Sequence, residues 1–138
     1  MGVHLILGQS SFNFFIPACI IVKKYNPTNI NIVEAAEGRI VKVIIESCLW
    51  TEEEIKIACE VVQGSSAQFV KSSTGFSTHG ATVDHIKIMR ESVGDLFGVK
   101  ASGGIKSFDD ALMMIQAGAN RLGTSSGAEI MKTEKLKS

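Results

Sequence analysis

The 138-residue chain holds only two prolines, three cysteines, one tryptophan and one tyrosine, and it has no excess of either charge. Each shortage excludes something. Cys19, Cys48 and Cys59 are odd in number and make no CxxC pair, which argues against a disulfide scaffold and for reduced, packed thiols. Fourteen basic and fourteen acidic residues balance to a formal charge of zero, so no electrostatic footprint points to nucleic acid or to a membrane surface. No His, Cys or Asp cluster has metal-ligand spacing, and nothing calls for a cofactor. The apolar run from Phe12 to Val22 falls short of the roughly 20 residues that a membrane span needs. It is followed by Lys23-Lys24 rather than preceded by basic residues, the reverse of a secretory leader. Ile6 stands where a myristoylation signal would place Ser or Thr. A cytoplasmic location is the expectation.

What is present is 45% hydrophobic residues, enough for one compact domain with a core. Residues 1–30 show no clear period: Val3 to Leu7 is compatible with a strand, Phe12 to Val22 with a strand or a buried helix, and Asn26-Pro27 with a turn. This segment is atypical and unassigned. From residue 31 to 138 the pattern is regular. Asn31 can cap a short helix stopped at Gly38, and Ile40 to Ile45 is a β-branched strand. Thr51 with Glu54 forms a capping box, opening a helix with Ile55, Ala58, Val61 and Val62 on one face and Gly64 at its end. Gln68 to Ser72 is the next strand, then a Thr82-capped helix closed by Gly94, then the strand Phe97 to Lys100. Ser107 caps a helix with Asp109 and Asp110 in its first turn and Ala111, Leu112 and Ile115 expected inward, stopped at Gly118. Asn120 to Gly123 is a fourth strand, and Ser126-Gly127 opens a last helix.

Strands alternating with helices at this spacing predict an α/β fold with a parallel sheet of about four βα units. A (β/α)8 barrel needs roughly 200 residues or more, so the chain has room for about half of one, a partial barrel of the TIM type.

Reactive groups in such folds sit at the carboxyl ends of strands. Lys71 and Lys100 hold equivalent places on consecutive strands. Two ammonium groups in a partly desolvated pocket lower each other's pKa. One then becomes a neutral amine able to attack a carbonyl, while the other shuttles protons. On spacing alone, two ordinary solvated strand-end lysines are the favoured reading. Gly103-Gly104 and Gly123 to Gly127 follow the neighbouring strand tips, where backbone amides and serine hydroxyls of such loops can donate to a phosphate. Plain turns would use the same residues. His79 reads as a solvated loop histidine, His85 lies in a helix first turn, Cys48 and Cys59 read as packed, and Trp50 as packing at a strand-to-helix corner.

Taken together, the stretches Val41 to Glu46, Phe69 to Thr78, Gly98 to Lys106 and Arg121 to Gly127 resemble deoxyribose-phosphate aldolase, in order and with natural spacing. The resemblance implies a metal-free class I aldolase on a (β/α)8 barrel that splits 2-deoxy-D-ribose 5-phosphate into glyceraldehyde 3-phosphate and acetaldehyde. It implies Lys71 as the Schiff-base lysine and Lys100 as the neighbour that tunes it and moves protons. Thr74, Gly75, Gly103, Gly104, Gly123, Ser125 and Ser126 would line the phosphate site. The family also uses an aspartate from an earlier strand, whereas the first aspartate here is Asp84. A second expectation follows: an inactive half-barrel acting as a phosphate-binding or subunit-interaction module, with unpaired sheet edges that favour a homo-oligomer.

Overall fold

The computed structural model describes residues 3–6 and 32–137. The readings of Leu7, of the apolar run at 12–22, of the turn at Asn26-Pro27 and of Asn31 as a cap fall outside them. In chain order the elements are β1 (Val3–Ile6), β2 (Val41–Ile44), α1 (Glu52–Gly64), β3 (Phe69–Lys71), α2 (Val83–Val93), β4 (Gly98–Ser102), α3 (Phe108–Gln116), β5 (Arg121–Gly123) and α4 (Gly127–Lys137). A helical turn at 32–35 precedes β2.

The strands form one five-stranded sheet in the order β1-β2-β3-β4-β5, every pairing parallel. This is a partial α/β barrel, as expected, with Val3–Ile6 adding a strand beside the four units read from residue 31 onward. Consecutive parallel strands need a crossover, and α1, α2 and α3 supply it. Their caps are local. Thr51 Oγ1 accepts from the Glu54 amide while Glu54 Oε2 accepts from the Thr51 amide at 2.9 Å. Ser107 and Asp110 repeat that box, and Thr82 Oγ1 accepts from the His85 amide. Each such cap is worth about 1 kcal/mol.

The core lies between the sheet and these helices. Val41, Val43, Ile45, Val70, Val99 and Ala101 face Ile55, Cys59, Val62, Ile86 and Met89 within one buried cluster. Full burial of each Val, Ile or Met contributes roughly 1.5–3 kcal/mol. Cys59 is packed there, and burial pushes its thiol up to about 12. At the far end of the strands Arg90 ties the elements together, donating from Nε and Nη2 to Gly118 O at 3.0 and 2.8 Å and from Nη1 to Phe97 O at 2.8 Å.

One helix is rotated from expectation. In α3 the inward residues are Ala111 and Met114, whereas Leu112 and Ile115 are 41% and 53% exposed. Leu112, Met113, Met114 and Ile115 are four consecutive apolar residues, so hydrophobic pattern alone does not choose the face. Packing against the sheet does.

Candidate active site

Side chains alternate across a strand. With Val41, Val43, Val70, Val99 and Ala101 toward the helices, Lys42, Ile44, Phe69, Lys71, Lys100, Ser102 and Arg121 share the opposite face. The register places Lys71 directly opposite Lys100, and Lys100 opposite Arg121. Gly98 leaves room for the Phe69 ring, which a Cβ there would meet at 2.4 Å. Arg121 stacks over that ring, its Cζ 4.4 Å from the centroid.

The charges on this face act on one another. Burial lowers the pKa of Lys71, the Lys100 and Lys42 ammonium groups lower it further, and Glu46 pulls it back up. Lys42 is 6% exposed. Burial lowers it most, followed by Lys100 and Arg121. This is the electrostatic signature of a perturbed cluster, common at functional sites.

A cavity of about 460 Å³ opens above the lysines. Lys71, Lys100, Thr74, Gly75, Gly103, Gly104, Gly123 and Ser125 line it, joined by Phe76, Ser102, Ile105, Lys106 and Thr124. Of the residues named from sequence, Ser126 alone is not in that lining; it opens α4, its carbonyl accepting from the Glu129 and Ile130 amides at 3.0 Å.

The loops around the cavity are fixed by specific contacts. Glu46, at the end of β2 with φ 52°, is buried. Its carboxylate takes the Thr74 amide at 3.1 Å and the Thr74 hydroxyl at 2.7 Å, holding the loop that follows Lys71. From the other end, the Ala81 amide donates to Ser102 O and Gly103 O at 3.0 and 3.1 Å. Between them the backbones of Gly80, Gly75 and Gly103 meet: a Cβ on Gly80 would lie 2.2 Å from the Gly103 carbonyl. Replacing Glu46 with Ala should free Thr74 and speed hydrogen exchange at its amide. It should also lower Lys71 further, because the Glu46 carboxylate that raises it is gone; exchange rates unchanged from wild type would contradict the anchor.

His79 stays exposed, its ring 5.7 Å from that of His85, whose Nδ1 lies 3.2 Å from Ser47 Oγ. Burial and His79 lower the His85 pKa against the pull of Asp84 and Glu52. Trp50 packs as expected, with Nε1 donating to Ile45 O at 2.5 Å. Cys48 is only half-buried. Burial and Glu46 raise its thiol, but hydrogen bonds from the Ser77 and Thr78 side chains and the His79 backbone leave it lowered.

Lys42, Glu46, Gly80 and Ser102 were not among the residues singled out from sequence. Lys42 had a readable signal, since it stands an odd number of positions from Val41, Val43 and Ile45 and so faces away from the core. The other three become visible only when the loops are placed together.

Comparison with known proteins gives this geometry its context. No family model matches the chain. The deoxyribose-phosphate aldolase of Streptococcus sanguinis is 58% identical over 104 residues, covering 75% of this chain and 47% of that protein. That of Streptococcus gordonii is 57% identical over 103 residues with the same coverage. The chain is a relative of the deoxyribose-phosphate aldolases. It spans about half the length of the curated relatives it matches. Among solved structures, a deoxyribose phosphate aldolase from Aeropyrum pernix, described as tetrameric, superposes with a TM-score of 0.81 at 28% identity, covering 99% of this chain and 56% of that one. An aldolase called QR15 gives 0.75 at 35% identity, covering 87% and 54%. Among the described residues no helix is long and apolar enough to cross a membrane.

Proposed function

We propose that this aldolase relative carries out the reversible retro-aldol cleavage of 2-deoxy-D-ribose 5-phosphate to glyceraldehyde 3-phosphate and acetaldehyde. The observation that carries the reading is Lys71 in register with Lys100 beneath a glycine-rimmed cavity. Lys71 is the nucleophile. Its neutral amine adds to the sugar carbonyl, and the carbinolamine loses water to form an imine. The bond between the second and third carbons then breaks as the hydroxyl on the third carbon gives up its proton, the bond's electrons passing into the iminium to give an enamine, and glyceraldehyde 3-phosphate leaves. Protonation of the enamine and hydrolysis release acetaldehyde and restore the lysine. Lys100 moves the protons, taking the one that the hydroxyl loses and returning one to the enamine. Thr74, Gly75, Gly103, Gly104, Gly123, Ser125 and Ser126 hold the phosphate through backbone amides and hydroxyls. Residues 31–138 form the aldolase-like part and 1–30 an atypical segment; the protein acts in the cytoplasm, in deoxyribonucleotide catabolism, as a homo-oligomer.

The test is acetaldehyde release from deoxyribose 5-phosphate by the purified chain. Release that saturates with substrate supports the reading, and none from a folded sample contradicts it.

The pH dependence has a defined sign. The reactive form is neutral Lys71, so imine formation rises with pH, with a midpoint below the ordinary lysine value of 10.5. Lys100→Leu removes one of the causes and should move the midpoint upward, measured from the rate of borohydride-trapped adduct against pH. A midpoint that stays in place would remove Lys100 from the tuning role.

A second reading is favoured by the two outer strands, β1 and β5, each with a single neighbour among the described residues of the sheet. On it, the chain is an inactive half-barrel that binds phosphate or a subunit. Phosphate binding without any turnover would select it.

A further inference from the structure

The Ser102 hydroxyl is left without a partner. Ser102 is 5% exposed, and among the described residues its Oγ makes no hydrogen bond. It nevertheless lines the cavity. Buried polar atoms in folded proteins are nearly always paired, so an orphan at a cavity wall marks a place where something else is meant to bond. The backbone around it is fixed: the Ser102 amide donates to Ser72 Oγ at 3.1 Å, and its carbonyl accepts from the Ala81 amide at 3.0 Å. A Cβ added at Gly123 would lie 2.5 Å from Ser102 Oγ and 3.0 Å from Lys100 Cε. The hydroxyl therefore stands beside the Lys100 stem and close against Gly123, where any other residue would crowd it. Along β4 it lies two residues beyond Lys100 on the same face and immediately before Gly103-Gly104. That is midway between the lysine pair and the glycine loops.

We infer that Ser102 is a specificity-determining residue whose hydroxyl bonds the hydroxyl next to the phosphate-bearing carbon of a phosphorylated sugar, between the carbonyl held at Lys71 and the phosphate. The inference rests on the aldolase reading above. A serine both donates and accepts, which suits an alcohol. Lys71, Lys100 and Lys106 already supply the cationic contacts to the same cavity. A site that leaves a buried hydroxyl unpaired when the ligand lacks its own rejects that ligand more strongly than an apolar wall would.

The test reads the half-saturating concentration for borohydride-trapped adduct on Lys71 with three ligands. These are acetaldehyde, deoxyribose 5-phosphate, and the analogue lacking the hydroxyl next to the phosphate-bearing carbon. Wild type should need about tenfold less of the sugar phosphate than of the analogue. Ser102→Ala should trap acetaldehyde as wild type does, bind the analogue at least as well as wild type, and need about tenfold more of the sugar phosphate. Equal half-saturation of wild type by the two phosphates would overturn the inference, as would an equal loss for both in the variant, the mark of a merely structural role. Should Ser102→Ala fail to fold, the wild-type comparison decides alone. If wild type traps none of the three ligands, the aldolase reading itself fails and the inference falls with it; trapping without discrimination removes Ser102 only.

Discussion

Lys71→Ala should abolish the borohydride-trapped adduct and lower turnover by on the order of 10⁴-fold or more, as loss of a covalent nucleophile does. Arginine should not rescue it, because a guanidinium keeps its proton at any working pH. The same change should not harm the fold. Lys71 is half-buried opposite another lysine, and its folded pKa lies below the ordinary value of 10.5. The folded state therefore binds that proton less well than the unfolded chain, and the charge opposes folding at neutral pH. Its contribution becomes more favourable as pH rises through the folded value toward 10.5. Lys71→Ala should then melt at or slightly above the wild-type temperature while losing the adduct. A variant that melts well below wild type would mean the lysine has a structural role. An adduct that persists would place the nucleophile elsewhere.

Gly80→Ala should be the most damaging change outside the lysines. The new Cβ would lie 2.2 Å from both the carbon and the oxygen of the Gly103 carbonyl and 2.7 Å from its Cα. These are backbone atoms, so no side chain can swing aside. Gly103 itself has φ +84°, and a Cβ on it would lie 2.9 Å from Gly80 Cα and 3.0 Å from Gly75 Cα. Separating the loops would break the paired bonds from the Ala81 amide and shift the cavity wall. The expected cost is about 3 kcal/mol, in the range of overpacking a tight interior. Misplacing the wall by about 1 Å would weaken phosphate binding on the order of 100-fold. Gly104→Ala is the control. It also has positive φ, +78°, but no atom lies within 4 Å of its added Cβ, so it carries backbone strain of about 1–2 kcal/mol and no clash. Denaturant unfolding and phosphate titration of the two variants separate these effects. Equal losses in both would show that the Gly80–Gly103 contact is not a constraint.

The parts of the fold legible in the sequence were those set by short-range chemistry. Thr51 with Glu54, Thr82, and Ser107 with Asp110 marked helix starts because caps act within one turn. The β-branched run ending at Ile45 marked its strand for a similarly local reason. The α3 face was not legible, because Leu112 to Ile115 is apolar all round and the sheet decides which of them turns inward. Within the site, the lysine pairing followed from equivalent places on neighbouring strands. Glu46 was hidden because its partner Thr74 lies 28 residues away. Ser102 was hidden because an unpaired hydroxyl has no signature until its surroundings are built.

The central claim is that this fold activates one lysine among many. The most direct measurement is a mass-spectrometric map of the wild-type protein after incubation with deoxyribose 5-phosphate or acetaldehyde and reduction with borohydride. The account predicts a single modified residue, Lys71, with Lys42, Lys100 and Lys106 unmodified. Modification spread over exposed lysines, or none in a folded sample, would contradict it.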